Sequence, residues 1–223
     1  MHRFNPQVSS LARMIKSFRN FNIDLVIDIG ANEGQFAQEI RAGGYAGRIV
    51  SVEPMLAAHE LLIRGSQGDE NWHIHPRCAV GSDVGEIELN IAGNSVSSSV
   101  LPMLAAHSNA APESVYQRKE TVPLTTLDLI LPSYLEQANA PFLKIDTQGY
   151  EWQVLDGARV VLPKVRGIMM EISFLPLYEG QHLWRECVDR IQIEGFTLWA
   201  LEPVFVDQAN GRTLQMDALF FRT

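Results

Sequence analysis

The apolar positions along this chain change period several times, and each change predicts an element. Over residues 8–21, Leu11, Met14, Ile15 and Phe18 recur at helical spacing, the pattern of an amphipathic helix. From Leu25 to Ile29 the apolar run is broken only by Asp28 and is rich in branched residues, which reads as a buried strand of a parallel sheet. Gly30 and Gly34 then turn the chain, and Phe36, Ala37 and Ile40 return at helical spacing. The same order recurs twice. A strand over 48–54 ends in Glu53 and Pro54 before a helix over 55–64. A strand over 140–145 ends in Asp146 before a helix through Val154 and Leu155 to Leu162.

Between these units the pattern is weaker. A short strand is expected within 72–81 and a half-exposed one over 86–91, where polar and apolar residues alternate. Residues 94–100 are polar, and 101–117, with Pro102 and Pro112, show no clear period; such a segment reads as a lid or substrate loop. Extended structure over 120–125 enters a helix with Thr126 as candidate N-cap. A strand over 166–174 carries Glu171, a helix follows over 184–194, and extended runs at 196–201 and 216–221 flank a turn at Gly211. The alternation predicts an α/β fold of Rossmann-like form: a sheet of about seven mostly parallel strands, mixed at one edge, with helices on both faces. One domain over 23–223 is expected, behind an N-terminal helical extension over 1–22.

Composition narrows the function. Hydrophobic residues make up 46% of the 223, enough for a substantial core. The net charge of −8, with no basic grouping longer than Arg118-Lys119, disfavours nucleic-acid backbone binding as the main task, and no nucleic-acid partner is expected. No apolar stretch suits a signal peptide or a bilayer span, so a cytoplasmic protein without an integral membrane segment is expected. Cys78 and Cys187 lie far apart without CxxC spacing and read as free thiols.

The first glycine turn holds the leading chemical signal. It reads Asp28-x-Gly30-x-x-x-Gly34, lacking the third glycine of the dinucleotide fingerprint. Asp28 would repel a pyrophosphate and suits a ligand bearing an ammonium and hydroxyls. Glu53 follows ~20 residues on, at the end of the second strand, where α/β sheets grip a ribose diol. Ala79 and Val80 sit in the loop that covers a base in such sheets, and they fit adenine contact or core equally. Asp146 ends a third parallel strand, so it shares the crevice with Asp28 and Glu53. Three carboxylates gathered by structure alone would repel, which points to a bound partner. His73 and His75 alternate on a strand with no carboxylate nearby and read as surface positions, so no metal site is assigned. Trp152, Trp184 and Trp199 suit sugar stacking or core packing.

These stretches together resemble the FkbM family of S-adenosylmethionine-dependent methyltransferases. The matching residues are 28–36, Val52-Glu53-Pro54, the Ser97-Ser98-Ser99 loop, Thr126-Leu127-Asp128, Glu171-Ile172-Ser173-Phe174 and Leu177-Tyr178-Glu179-Gly180-Gln181. The most specific is Leu143-Lys144-Ile145-Asp146-Thr147-Gln148-Gly149-Tyr150-Glu151. The resemblance implies a class I methyltransferase fold, S-adenosyl-L-methionine as cofactor, and O-methylation of a sugar, glycan or glycolipid, or polyketide-type hydroxyl. It implies that Asp28, Gly30 and Asn32 line the methionine end, Glu53 with Pro54 the ribose, Ala79 and Val80 the adenine, and that Asp146 sits beside the sulfonium.

Methyl transfer to an alcohol needs an aligned oxygen and a group to take its proton. Asp146 is the first candidate, as base or as purely electrostatic support, with Glu171 and His182 behind it. A divalent cation on Asp146 and Glu171 is a lesser alternative. Two rival readings remain: a silent cofactor- or sugar-binding module, and a nicotinamide oxidoreductase, which the missing glycine and Asp28 disfavour.

Overall fold

A computed structural model describes residues 9–223. Val8, the first residue of the expected N-terminal helix, lies outside them, as does all of the stretch before it. Helix α1 (Ser10–Asn20) starts at Ser9, whose hydroxyl oxygen accepts from Ala12 N–H and caps the first turn. It lays Ile15 and Phe18 on the sheet.

The main sheet has seven strands. Strand β1 (Leu25–Ile29) is central, flanked in parallel by β2 (Arg48–Val52) and by the strand over Pro141–Ile145. In chain order the others are β3 (Trp72–Ile74), β4 (Ala79–Val80), β5 (Gly85–Ala92), β6 (Tyr116–Thr125), β7 (Pro141–Ile145), β8 (Gly167–Ser173), β9 (Thr197–Val206) and β10 (Thr213–Phe221). The main sheet runs β3-β2-β1-β7-β8-β10-β9, parallel from β3 to β8 and antiparallel over the last two strands. This is the Rossmann-like, mostly parallel sheet that the strand–helix alternation predicts. Helix α2 (Gln35–Ala42) follows β1 and α3 (Leu56–Gly65) follows β2.

The continuous apolar pattern of β1 has its reason in burial on both faces. Leu25, Ile27 and Ile29 join Leu143, Ile145, Val154 and Leu155 on one side. Val26 joins Ile15, Phe18, Phe142 and Phe221 on the other. Strands β4, β6 and β5 form a second, three-stranded sheet over a smaller core of Leu89, Ile91, Val122 and Leu124.

Three expectations change. The segment over 101–117 is folded: it contains α4 (Ala105–Ala110) and a 3₁₀ turn at Pro112–Ser114, and β6 already begins at Tyr116. Buried His107 holds it down, with Nδ1 3.0 Å from Ser114 Oγ and its ring against Tyr178 and Phe205. The segment lacks a period because it turns twice within a dozen residues. Next, α5 (Leu127–Ile130) begins after Thr126 as expected, but no side-chain bond from Thr126 caps it; α6 (Pro132–Leu135) follows. Finally, α7 (Glu151–Asp156) stops well short of Leu162. Asp128 Oδ1 accepts from the N–H groups of Val160 and Val161 and draws the chain out of the helix. Helix α8 (Trp184–Ile193) matches its expected span. No helix among the described residues is long and apolar enough to cross a membrane.

Candidate functional site

The carboxyl ends of β1, β2 and β7 open into one cavity of about 320 Å³. Its position follows from the parallel sheet, since the turns after these strands all lie on the same side. The turn after β1 is stitched to both neighbours: Gly30 N and Ala31 N donate to Val52 O, and Asp146 N donates to Ile29 O. A Cβ on Gly30 would stand 1.9 Å from the Asp146 carbonyl oxygen, and φ there is +76°. Only glycine fits.

Asn32, at φ +48°, donates its backbone N–H to Glu53 Oε2 at 2.7 Å, and Met55 N donates to Glu53 Oε1 at 2.8 Å. Glu53 is 2% exposed, and burial pushes its carboxyl up to about 7 against those two bonds. Asn32 Nδ2 donates to Ser95 Oγ, while its Oδ1 is buried without a hydrogen-bond partner. That acceptor is left without the donor a buried oxygen needs.

One end of the cavity is apolar, walled by Met55, Cys78, Ala79, Val80, Leu89, Val100 and Tyr150. Ala79 and Val80 are thus both core and wall. The other end holds Phe36, Glu39, Lys144, Asp146, Met169 and Asp217. Gly30, Asn32, Glu53, Pro54 and Asp146 all reach the cavity.

Asp28 does not. It is 0% exposed and lies against Lys144, whose Nζ stands 3.0 Å from Asp28 Oδ1 and 3.4 Å from Asp146 Oδ2. The register sets Asp28 directly opposite Lys144 across the β1–β7 pair. Burial works against the Lys144 ammonium, but the Asp28 and Asp146 carboxylates outweigh it and hold it above its usual range. Repulsion between strand-end acids is therefore relieved by a lysine of the chain itself. The signal was a lysine in an otherwise apolar parallel strand.

Glu171 stands beside this group. Its Oε2 accepts from Gln148 Nε2 at 3.0 Å and from Gln215 Nε2 at 2.6 Å. Burial, then the nearby Asp146 and Asp217 carboxylates, push Glu171 well above the usual carboxylate range. Asp217, opposite Glu171 in the β8–β10 register, is pushed up to about 7 by burial and then by Asp146. An acid in a late alternating strand looks solvated in sequence, so Asp217 was not legible there.

His182 stays apart. Its ring stacks on Trp152 at 3.9 Å and its Nδ1 meets Glu186, outside the residues that wall the cavity. The tryptophans also face elsewhere: Trp72 Nε1 donates to Ser51 Oγ, Trp184 packs on Phe174, and Trp199 packs on Phe21. His75 pairs with the Tyr134 hydroxyl, and no cluster suited to a metal ion occurs among the described residues. Cys78 and Cys187 are both buried free thiols.

A seven-stranded, mostly parallel sheet with an open crevice at its first glycine turn defines the Rossmann-like methyltransferase class. The methyltransferase FkbM domain model matches residues 28–198, and the chain belongs to this family, whose cofactor is S-adenosyl-L-methionine. Solved structures agree on the fold. Precorrin-6y C5,15-methyltransferase from Geobacter metallireducens superposes with a TM-score of 0.51 at 12% identity, over 100% of this chain and 93% of that one. The methyltransferase domain of bacterial CtHen1-CN gives 0.50 at 11% identity, over 95% and 96%. Magnesium protoporphyrin IX methyltransferase from Synechocystis PCC 6803, with bound SAM, gives 0.50 at 9% identity, over 99% and 87%. No curated protein matches the chain.

Proposed function

We propose that the protein moves a methyl group from S-adenosyl-L-methionine to a hydroxyl of a sugar, glycan or polyketide-type small molecule. The observation carrying this reading is the pairing of an orphaned acceptor, Asn32 Oδ1, with the buried Glu53 carboxyl on one cavity wall. Each Glu53 oxygen takes one backbone N–H and keeps a lone pair, which suits a ribose diol. Asn32 Oδ1 suits the ammonium of the methionine moiety, beside the Gly30 turn. The apolar end with Ala79 and Val80 suits adenine, and Pro54 closes the ribose side.

When bound, the cofactor supplies a methyl carbon activated by its sulfonium. The chain must align the acceptor oxygen and receive its proton. Asp146 does this at the carboxyl end of β7, with Oδ1 fixed by Gln148 and Oδ2 facing Lys144. Glu171, in the same neighbourhood, is less available as a base at neutral pH, since its surroundings keep the carboxyl protonated. Asp28 acts from beneath, by holding Lys144. The acidic lining of Glu39, Asp146 and Asp217 favours an uncharged polyol over a phosphorylated acceptor.

Titration calorimetry with S-adenosylhomocysteine tests the reading. The parent protein binds with micromolar affinity, with or without Mg²⁺, and Glu53→Ala loses binding while keeping its unfolding temperature within a few degrees. Unchanged affinity in Glu53→Ala removes Glu53 from the site, and no binding by the parent removes the cofactor reading.

A further inference from the structure

Asp146 is pulled from two sides. Gln148 Nε2 donates to Oδ1 at 2.9 Å, while Oδ2 faces the Lys144 ammonium at 3.4 Å. An unrestrained ammonium–carboxylate contact closes to roughly 2.7–2.9 Å. Lys144 approaches Asp28 more closely, at 3.0 Å, which leaves Asp146 with the longer of its two carboxylate contacts.

The restraint is the Gln148 amide, fixed at both ends. Its Oε1 accepts from the Tyr178 hydroxyl at 2.8 Å, and its Nε2 donates to Glu171 Oε2 as well as to Asp146. The opposite amide orientation would set an oxygen against two carboxyl groups. The backbone is anchored too: φ is +53°, and the Gln148 carbonyl accepts from Ser99 Oγ at 2.6 Å. Tyr178 is 0% exposed, also donates toward Ser97 O, and does not wall the cavity.

We propose that Gln148, oriented by Tyr178, is a positioning residue that keeps the Asp146 carboxylate off Lys144 and turned to the cavity. The site can then tell the sulfonium cofactor from its neutral thioether product. Without this strut, Asp146 closes on Lys144, its charge is spent within the protein, and preference for the sulfonium falls. The inference rests on the reading that Asp146 lies beside the sulfonium.

The test is calorimetry with S-adenosylmethionine and S-adenosylhomocysteine on the full chain, which needs no acceptor. Gln148→Met removes both donated bonds without adding charge. Its affinity for S-adenosylmethionine falls roughly tenfold while that for S-adenosylhomocysteine stays within about twofold. Tyr178→Phe removes one hydroxyl outside the cavity and shifts the ratio the same way, by about threefold. Gln215→Met strips the other amide donor from Glu171 without touching Asp146 and leaves the ratio where it was.

Equal weakening toward both compounds in Gln148→Met, or an equal shift in Gln215→Met, overturns the proposal. If Gln148→Met fails to fold, an unchanged ratio in Tyr178→Phe overturns it alone. A parent protein that binds neither compound removes the cofactor reading, and this inference with it.

Discussion

Replacing Lys144 by methionine tests the electrostatics beneath the cavity. Lys144 is 7% exposed at its side chain and Asp28 0%, so the substitution leaves a carboxylate with no solvent to turn to. Breaking a buried pair this way costs about 3–5 kcal/mol. The alternative is to protonate Asp28. From an ordinary value of about 3.9 to pH 7 is about three units, at about 1.36 kcal/mol each, or at most about 4 kcal/mol, since burial already pushes Asp28 upward in the parent against the pull of Lys144. The two routes agree. At ~2–4 °C per kcal/mol for a chain of this size, the unfolding temperature drops by roughly 8–16 °C. The protonation route also fixes the pH dependence. Asp28 in the variant has a raised folded value, so stability is lost as pH rises and regained as it falls. At pH 5 the penalty is capped at about 1.5 kcal/mol. Asp28→Asn combined with Lys144→Met leaves neither charge buried and recovers most of the loss. Urea unfolding of parent, single and double variants at pH 7 and pH 5 measures all of this. A penalty equal at both pH values, or a double variant no better than Lys144→Met, refutes the reasoning.

Other predictions follow from the same geometry. Gly30→Ala forces a Cβ onto the Asp146 carbonyl at a left-handed φ, so the variant is several degrees less stable by calorimetry and loses S-adenosylhomocysteine binding; wild-type behaviour in both would show that the β1 turn can yield. Burial raises Glu53, Glu151 and Asp217 to about 7, so the folded protein holds protons there that the unfolded chain has already lost. Their contribution to stability is full near pH 4 and is lost as pH rises toward 7, so Glu151→Gln flattens the thermal profile between pH 5 and 7 relative to the parent. In the proposed ribose role Glu53 acts as the ionised carboxylate, so S-adenosylhomocysteine affinity rises across pH 6–8 in the parent; a flat titration would mean that Glu53 binds as the neutral acid or not at all.

Much of the sheet was legible because parallel strands buried on both faces write an unbroken apolar run, as in residues 25–29 and 141–145. Strand-end acids were legible for the same reason: Glu53 and Asp146 end such runs. What failed depends on partners distant in sequence. Asp28 looked like a cavity residue because nothing in its own stretch shows that Lys144 will stand opposite. Asp217 and Gln148 take their meaning from Glu171, across two strands. The early end of α7 is set by Asp128, about thirty positions before the residues it binds, and helical periodicity carries no trace of it.

The central strand has a consequence for synthesis. β1 acquires its second neighbour only when β7 exists; Ala140 N already bonds Asp24 Oδ1 across 116 positions. Until then the growing chain carries β1 with one side unpaired and apolar on both faces, a template for wrong pairing. Such long-range parallel closure is slow. Chaperone demand and aggregation should therefore peak in the interval between the emergence of residues 29 and 145, and a nascent chain stalled in that interval is the form of this protein most in need of protection.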